Sequence, residues 1–96
     1  MTIAESIRRF LEYMEIEQGR SRLTLRNYDH YLTTFHTFCE EEKIETPEQN
    51  NDEKMRLYRL WLNRPQKHPN RREYVERDRK TQNYYLIALR AYLKYL

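Results

Sequence analysis

The sequence predicts an all-α protein, a compact four-helix bundle built as a single domain. Three observations predict it. Apolar residues recur every three to four positions along most of the chain, which is the spacing of amphipathic helices. The 96 residues include one Gly and three Pro, too few for the many turns of a β protein. A hydrophobic content of 39% is enough for one core, and a charged content of 34% suits solvated helix faces.

Helix one is predicted over residues 3–17. Thr2, followed three residues later by Glu5, is the pattern of a capping box at the start of a helix. Gly19 can adopt the left-handed conformation that ends a helix. The face that we expect to be buried consists of Ile3, Ile7, Phe10, Leu11 and Met14.

Helix two is predicted over residues 22–43, with its start near Ser21 to Thr24, where hydroxyl side chains can cap it. Thr46-Pro47 marks the following break, because Pro is tolerated in the first turn of a new helical segment. The expected buried stripe is Leu25, Tyr28, Leu32, Phe35 and Cys39, widened by Tyr31 and Phe38.

Helix three is predicted over residues 52–64. Asn50, Asn51 and Asp52 are candidates for its N-cap, and Pro65 stops it. The residues expected to face inward are Met55, Tyr58, Trp61 and Leu62.

Helix four is predicted over residues 79–96, after a loop at 65–78. The loop is rich in cations and either binds phosphates or stays solvated. Its acidic residues dilute that charge, which favours the solvated alternative. The residues of helix four expected to pack inward are Tyr85, Leu86, Leu89, Tyr92, Leu93 and Leu96.

Cysteine content and hydropathy exclude several classes of protein. The single Cys39 cannot form an intramolecular disulfide framework or a multi-cysteine zinc site. It lies on the apolar face of helix two, so we expect a buried free thiol, which fits a reducing compartment. No apolar run approaches the roughly 20 residues that span a bilayer. The protein is therefore expected to be soluble and cytoplasmic, without a membrane partner and without a cofactor.

Charge is divided unevenly along the chain. Residues 1–52 contain 6 Lys/Arg and 11 Asp/Glu, whereas residues 53–96 contain 12 and 4. Such a division favours an anionic partner on the basic side, commonly nucleic acid. The alternative is an ordinary solvated surface with uneven charge.

Two stretches, SRLTLRNYDHYLTTF (21–35) and DRKTQNYYLIALRAY (78–92), match each other at an offset of 57 positions. The matched pairs are Arg22 and Arg79, Thr24 and Thr81, Tyr28 and Tyr85, Leu32 and Leu89, Phe35 and Tyr92, and Phe38 and Tyr95. Much of this echo follows from amphipathic packing alone, because two helices that pack alike need the same apolar spacing. The rest of the similarity lies on their outward faces.

The outward faces of helices two and four are polar and partly cationic. They carry Arg26, Asn27, His30, Thr33 and Thr37 on helix two, and Lys80, Asn83, Tyr84, Ile87, Arg90 and Lys94 on helix four. Cations supply charge for phosphates, and Thr or Asn can hydrogen-bond phosphates or base edges. Helix N-termini also favour anions. The N-terminal groups are Arg22 and Thr24 on one helix, and Arg79, Lys80 and Thr81 on the other, so the two ends are expected to hold two segments of a duplex backbone.

The order of these signals resembles the N-terminal core-binding (SAM-like) domain of tyrosine recombinases and phage-type integrases. The resemblance covers essentially the whole chain. The residues that carry it are Gly19, Ser21, Thr24, Tyr28, Leu32 and Phe35, then Thr81, Leu89, Arg90, Tyr92, Tyr95 and Leu96. It implies a domain that grips one face of duplex DNA beside the crossover site during DNA integration or site-specific recombination. In that family a separate C-terminal domain carries out the chemistry.

The resemblance also implies which residues touch DNA and where the protein works. It assigns contacts to Thr24, Arg26 and Asn27 on helix two, and to Lys80, Thr81, Tyr84 and Arg90 on helix four. The outward positions add His30, Asn83 and Lys94, and the helix starts add Arg22 and Arg79. The expected partner is double-stranded DNA and the expected location is the nucleoid, with self-association on DNA possible through a full-length parent.

A helical protein–protein interaction module with no nucleic-acid role is the alternative, with Tyr31, Tyr84 and Ile87 as exposed anchors. No catalytic residue is predicted in the chain itself. His68 and Arg71 match the spacing of the His-x-x-Arg box of tyrosine recombinases, but they lie in a proline-interrupted loop, so we interpret the match as coincidence. His30 and His36 lack partners at metal-ligand spacing, so no metal site is expected.

Overall fold

The structure is a computed structural model that describes residues 1–64 and 80–96, together with the backbone of residues 66–67, 74–75 and 79. Within this part of the chain there are four α-helices: α1 (Ile3–Ile16), α2 (Arg22–Glu41), α3 (Asp52–Asn63) and α4 (Arg79–Tyr95). A single 3₁₀ turn spans Pro47–Gln49, and the two-residue strands β1 (Gln66–Lys67) and β2 (Tyr74–Val75) pair antiparallel. The predicted all-α four-helix fold is confirmed.

Side-chain caps set three of the helix starts. The Thr2 hydroxyl accepts the Glu5 N–H at 3.1 Å, and the Ser21 hydroxyl accepts the Thr24 N–H at 3.2 Å. The Asn51 side-chain oxygen accepts the Lys54 N–H at 2.9 Å. Each bond satisfies one of the backbone donors that a helix start leaves without an intrahelical partner. The predicted starts of α1, α2 and α3 therefore agree with the structure.

The helices end one or two residues earlier than the sequence predicts, most clearly α2, which ends at Glu41 rather than 43. Lys43 adopts a left-handed conformation with φ 58°. The Ile44 N–H then binds the Cys39 carbonyl at 2.8 Å, and the Lys43 N–H binds the Glu40 carbonyl at 3.2 Å. This is a Schellman motif with the buried Ile44 as its hydrophobic contact. The sequence does not indicate this motif, because a lysine occupies the position where glycine is usual.

The core draws on all four helices and on the segment after α2. Its buried apolar residues are Ile3, Ile7, Phe10, Met14, Leu32, Phe35, Phe38, Cys39, Ile44, Tyr58, Leu62, Tyr85, Ala88, Leu89 and Tyr92. Ser6 is also fully buried, and its hydroxyl hydrogen-bonds the Tyr92 hydroxyl, which satisfies both polar groups away from water. The expectation that Leu96 packs inward is wrong: it follows the last residue of α4 and is 53% exposed.

α2 is the central helix of the bundle and contacts the other three. α3 covers its C-terminal half, where the ring of Phe38 lies 5.1 Å from that of Tyr58 and 5.7 Å from that of Trp61. The Trp61 indole N–H donates to Glu41 at 2.6 Å. Cys39 is fully buried in the core, and this burial raises the pKa of its thiol to about 12. The prediction that Cys39 is a buried free thiol is confirmed.

Among the described residues, no helix combines the length and the apolar character needed to cross a bilayer.

Candidate nucleic-acid interface

α4 presents a single outward stripe. Between residues 80 and 94 the exposed side chains are Lys80, Asn83, Tyr84, Ile87, Arg90 and Lys94. Their spacing of three or four positions places them on one side of the helix, opposite the buried residues Tyr85, Leu89 and Tyr92. We call these six residues the α4 stripe. At 1.5 Å per residue, its two terminal lysines lie about 21 Å apart along the helix axis.

The cations of the α4 stripe form no ion pair with the other described residues. The ion pairs seen in the described residues join α1, α2 and α3 side chains: Arg8 with Glu12, His36 with Glu40, Lys54 with Glu42, and Arg56 with Glu53. None of them involves Lys80, Arg90 or Lys94. Residues 79–96 contain no Asp or Glu. The stripe therefore faces solvent with positive charge that no neighbouring carboxylate on its own helix offsets.

The N-terminal half of α4 is joined to α2 by aromatic contacts. Tyr31 stacks nearly parallel to Tyr84, with ring centroids 6.5 Å apart and an interplanar angle of 16°. The Tyr85 ring stands edge-on to Tyr31 at 4.8 Å. His30 Nε2 lies 3.1 Å from the Tyr85 hydroxyl, within hydrogen-bond distance. Two predicted contact residues, His30 and Tyr84, are thus brought onto one surface, whereas Tyr31 is half-buried rather than an exposed anchor.

Arg26 lies in a different place from the α4 stripe. It lines a groove of about 530 Å³ between α1 and α2, together with Arg8, Asp29 and apolar residues of α1. The stripe residues do not line this groove. Arg26 is exposed, and so is Asn27 one position along α2. The structure does not bring Arg26 and Lys80 into a common groove, so a DNA contact by Arg26 stays a prediction.

The N-termini of α2 and α4 carry the residues that the sequence predicts there. Arg22 is exposed as the first residue of α2, and the side chain of Arg79, the first residue of α4, lies outside the described residues. Thr24 and Thr81 are both half-buried. The Thr24 hydroxyl accepts a hydrogen bond from Ser21 at 3.0 Å, so its own O–H remains able to donate to an anion.

A second cavity, of about 360 Å³, lies at the other end of the α4 stripe. It is lined by Phe10, Tyr13, Met14, Gln18, Arg20, Tyr28, Ala91, Lys94 and Tyr95. Lys94 was predicted as a contact residue, but Arg20 was missed. The available signal was its position directly after the helix-ending Gly19, since the chain that leaves such a turn folds back over the helix it has just left.

A metal site needs several ligand side chains close together. Within the described ranges, no three His, Cys, Asp or Glu side chains are close enough together to hold a metal ion. His36 lies 3.5 Å from Glu40 on the same helix. The His68 and Arg71 pair lies outside the described residues.

Comparison with known proteins identifies the family. The family model for the phage integrase N-terminal SAM-like domain matches residues 7–96. No curated protein and no solved structure matches the chain. The matched domain is not the catalytic domain of these integrases. The match covers α2, α3 and α4 and the part of α1 from residue 7 onward. The chain belongs to the family of phage integrase N-terminal SAM-like domains.

Proposed function

We propose that this chain is a DNA-binding domain that grips duplex DNA next to the crossover site during DNA integration or site-specific recombination. Its partner is double-stranded DNA, and its location in the cell is the nucleoid. Family membership supports a tyrosine recombinase-type role. Cleavage and rejoining of DNA then belong to a separate catalytic domain of the parent protein. Self-association on DNA takes place through the full-length parent.

The α4 stripe is the observation that carries this proposal. Three of its six exposed residues are cations, Lys80, Arg90 and Lys94, and the helix that bears them contains no acid. A duplex presents one negative charge per roughly 1.7 Å of its axis, so a row of uncompensated cations is the surface that it binds best. Asn83 and Tyr84, between the cations, bring hydrogen-bonding groups within reach of base edges or sugars.

The length of the stripe fits a helix laid across a groove. The major groove is about 12 Å wide and admits an α-helix. A stripe about 21 Å long, from Lys80 to Lys94, extends beyond both rims, so its terminal cations meet phosphates on opposite sides while its middle faces the groove floor. α2 lies beside it and contributes His30, whose ring nitrogen is within hydrogen-bond distance of the Tyr85 hydroxyl. The exposed Arg22 and Asn27 of the same helix complete the proposed contact set.

A binding titration at several salt concentrations tests the proposal. Fluorescence anisotropy of a labelled duplex measures the association constant, and its logarithm is plotted against the logarithm of salt concentration. We expect a straight line that falls by about 0.9 for every phosphate neutralised. The variant Lys80→Ala/Arg90→Ala should lose about two units of slope and keep its fold, as judged by circular dichroism. A flat line, or no binding to any duplex at low salt, would rule out the proposed function.

A protein–protein interaction module is the second candidate, because Tyr84 and Ile87 are 45% and 46% exposed side by side on α4. Light scattering discriminates between the two functions. The DNA-binding proposal predicts that the substitution Ile87→Ser leaves the molar mass of the free chain unchanged. A stable oligomer that is indifferent to duplex DNA and is broken by Ile87→Ser would favour the second candidate.

A further inference from the structure

The cavity at the C-terminal end of the α4 stripe is built by three separate parts of the chain. Tyr13 comes from the end of α1 and Gln18 from the turn that follows it, Tyr28 from α2, and Lys94 from α4. Its aromatic residues are packed on one another: the rings of Tyr13 and Tyr95 lie 5.0 Å apart, and Phe10 lies 5.4 Å from Tyr95. The cavity therefore exists only in the folded bundle and has walls that its neighbours hold in place.

Arg20 is held at this cavity by the turn that follows α1. Gly19 takes a left-handed conformation with φ 60°, which returns the chain over the last turn of the helix. The Arg20 N–H then binds the Met14 carbonyl at 3.0 Å. The Arg20 Nε donates to the Gln18 side-chain oxygen at 3.4 Å, and the Gln18 amide nitrogen donates to the Tyr13 hydroxyl at 3.5 Å. This network positions the guanidinium without neutralising it, because neither partner is charged.

The charge of the cavity selects an anion. Arg20 and Lys94 are the ionised groups among its lining residues, and neither forms an ion pair within the described part of the chain. The lining contains no Asp or Glu. Tyr28 and Tyr95 add hydroxyls that can donate to phosphate oxygens, and their rings offer an apolar surface for a sugar. Two cations, hydroxyl donors and aromatic walls together suit a sugar-phosphate unit.

We infer that this cavity is a phosphate subsite for the nucleic-acid backbone, in which Arg20 and Lys94 bind one backbone phosphate between them. The inference rests on the proposed function, since it assigns a further contact to the same bound duplex. Lys94 belongs to both the α4 stripe and the cavity, so a duplex laid along the stripe reaches the cavity at its far end. The turn after α1 thereby becomes part of the binding surface, alongside α2 and α4.

Salt-dependent binding of substituted chains tests the subsite. The variants are Arg20→Ala, Lys94→Ala and the double variant, each titrated with a labelled duplex by anisotropy. We expect each single substitution to lower the salt slope by about one unit, and the double substitution by about two. The charge-preserving Arg20→Lys should keep the wild-type slope. Arg59→Ala is the matched control, because Arg59 is an exposed cation on α3 outside the cavity. This substitution should leave the salt slope unchanged.

The outcomes separate the subsite from the proposed function. If the wild type binds duplex with a steep salt slope and the double variant keeps that slope, the subsite is wrong while the proposed function stands. If the wild type binds no duplex at all, both fail. Inorganic phosphate provides a further arm. If the cavity holds a backbone phosphate, sodium phosphate should displace the duplex from the wild type more effectively than sodium chloride of equal ionic strength, and this extra displacement should disappear in the double variant. Extra displacement of equal size in both proteins would overturn the subsite.

Circular dichroism and a denaturation midpoint accompany each variant. The Arg20 substitutions are expected to fold normally, because the backbone N–H rather than the side chain makes the bond that holds the turn. Should Arg20→Ala nevertheless unfold, Arg20→Gln, which keeps a hydrogen-bonding side chain and removes the charge, gives the same test. Its slope is expected to fall by about one unit as well.

Discussion

Helices α2 and α4 repeat one pattern of burial but not one surface chemistry. Leu32 and Leu89 are both buried, and so are Phe35 and Tyr92, their neighbours one turn further on. The outward positions match too, because Leu23, Arg26, Asn27, His30, Thr33 and Thr37 of α2 are all exposed, as are the corresponding Lys80, Asn83, Tyr84, Ile87, Arg90 and Lys94 of α4. Only one of the six on α2 is a cation, whereas three on α4 are.

This difference indicates that the similarity between the two helices reflects how they pack, whereas their function depends on the residues at exposed positions. Both helices need a buried face at the same spacing, which fixes the shared apolar residues. Exposed positions are free of that requirement, so their chemistry can be chosen for a ligand. The charge of α4 is therefore a better indication of where DNA binds than the similarity of the two helices.

The repeat of burial also breaks at its C-terminal end. Phe38 is 1% exposed, but its counterpart Tyr95 is 39% exposed. Cys39 is buried and its counterpart Leu96 is exposed. The cause is α3, which covers the end of α2 through Tyr58. The Tyr95 ring instead packs against α1, through Tyr13 and Phe10, and stays partly exposed.

The largest predicted effect on stability concerns the C-terminal ends of α2 and α4, where matched positions differ in burial. Phe38→Ala should lower the free energy of unfolding by about 3 to 5 kcal/mol, because it removes a fully buried ring and leaves a cavity. Tyr95→Ala should lower it by about 1 kcal/mol, because its ring is partly solvated. Guanidinium denaturation measures both. Equal losses for the two variants would contradict the structure, and the matched pair Phe35→Ala and Tyr92→Ala serves as the control in which both losses are large.

The next prediction uses the buried thiol of α2, which has no counterpart on α4. Burial raises the pKa of Cys39 from 9.0 to about 12, so the unfolded chain releases this proton before the folded chain does. Its contribution to stability is complete below pH 9 and is lost as pH rises from 9 towards 12. At pH 10 we expect a loss of roughly 1 kcal/mol relative to pH 8.

The variant Cys39→Ala isolates the thiol in that experiment. Burial raises the pKa of the Tyr92 hydroxyl as well, so other groups add to the alkaline loss. Cys39→Ala is less stable at every pH because it leaves a small cavity, but its stability should fall less steeply between pH 8 and pH 10. Identical slopes for the two proteins would show that the thiol is not protected by burial.

An effect of similar size is expected at the start of α2. Ser21→Ala removes the hydroxyl that caps the Thr24 N–H and should cost about 1 kcal/mol of stability. Ser21→Thr retains a capping oxygen and should recover most of the loss. Urea denaturation measures both variants. If Ser21→Ala were as stable as the wild type, α2 would not depend on its N-cap.

The smallest predicted effect compares one exposed cation from each helix. Lys80→Ala should lower the salt slope of duplex binding by about one unit. Arg26→Ala should lower it by less, because Arg26 lines the α1–α2 groove beside Asp29, whose charge opposes the approach of a phosphate. The same anisotropy titration measures both. A larger change for Arg26→Ala would move the binding surface from α4 to the α1–α2 groove.

Much of the fold follows from sequence because local chemistry and apolar spacing agree. The hydroxyl caps and the periodic apolar residues locate all four helices to within one or two residues of their ends. The exposed faces of α2 and α4 are predicted for the same reason, since opposite sides of an amphipathic helix are determined together. The errors concern positions where no local rule applies, such as the left-handed Lys43 and the exposed Leu96.

The candidate site is harder to predict because it depends on how the helices are placed together. The sequence indicates His30 and Tyr84 separately, but their common surface is formed through Tyr31 and Tyr85, 54 residues apart in the chain. Arg20 was missed because the loop that carries it reaches α4 only in the folded bundle. The separation of Arg26 from the α4 stripe likewise depends on where α1 packs, which no pattern within α2 specifies.

The central claim is that α2 and α4 present one DNA-binding surface dominated by the α4 stripe. Chemical-shift mapping tests it most directly, with a ¹⁵N-labelled chain titrated by an unlabelled duplex at low salt. We predict that the largest shifts fall on residues 80–94 and on the first turns of α2, and that the outer face of α3 around Arg59 stays unchanged. Shifts concentrated on the outer face of α3 would contradict the account.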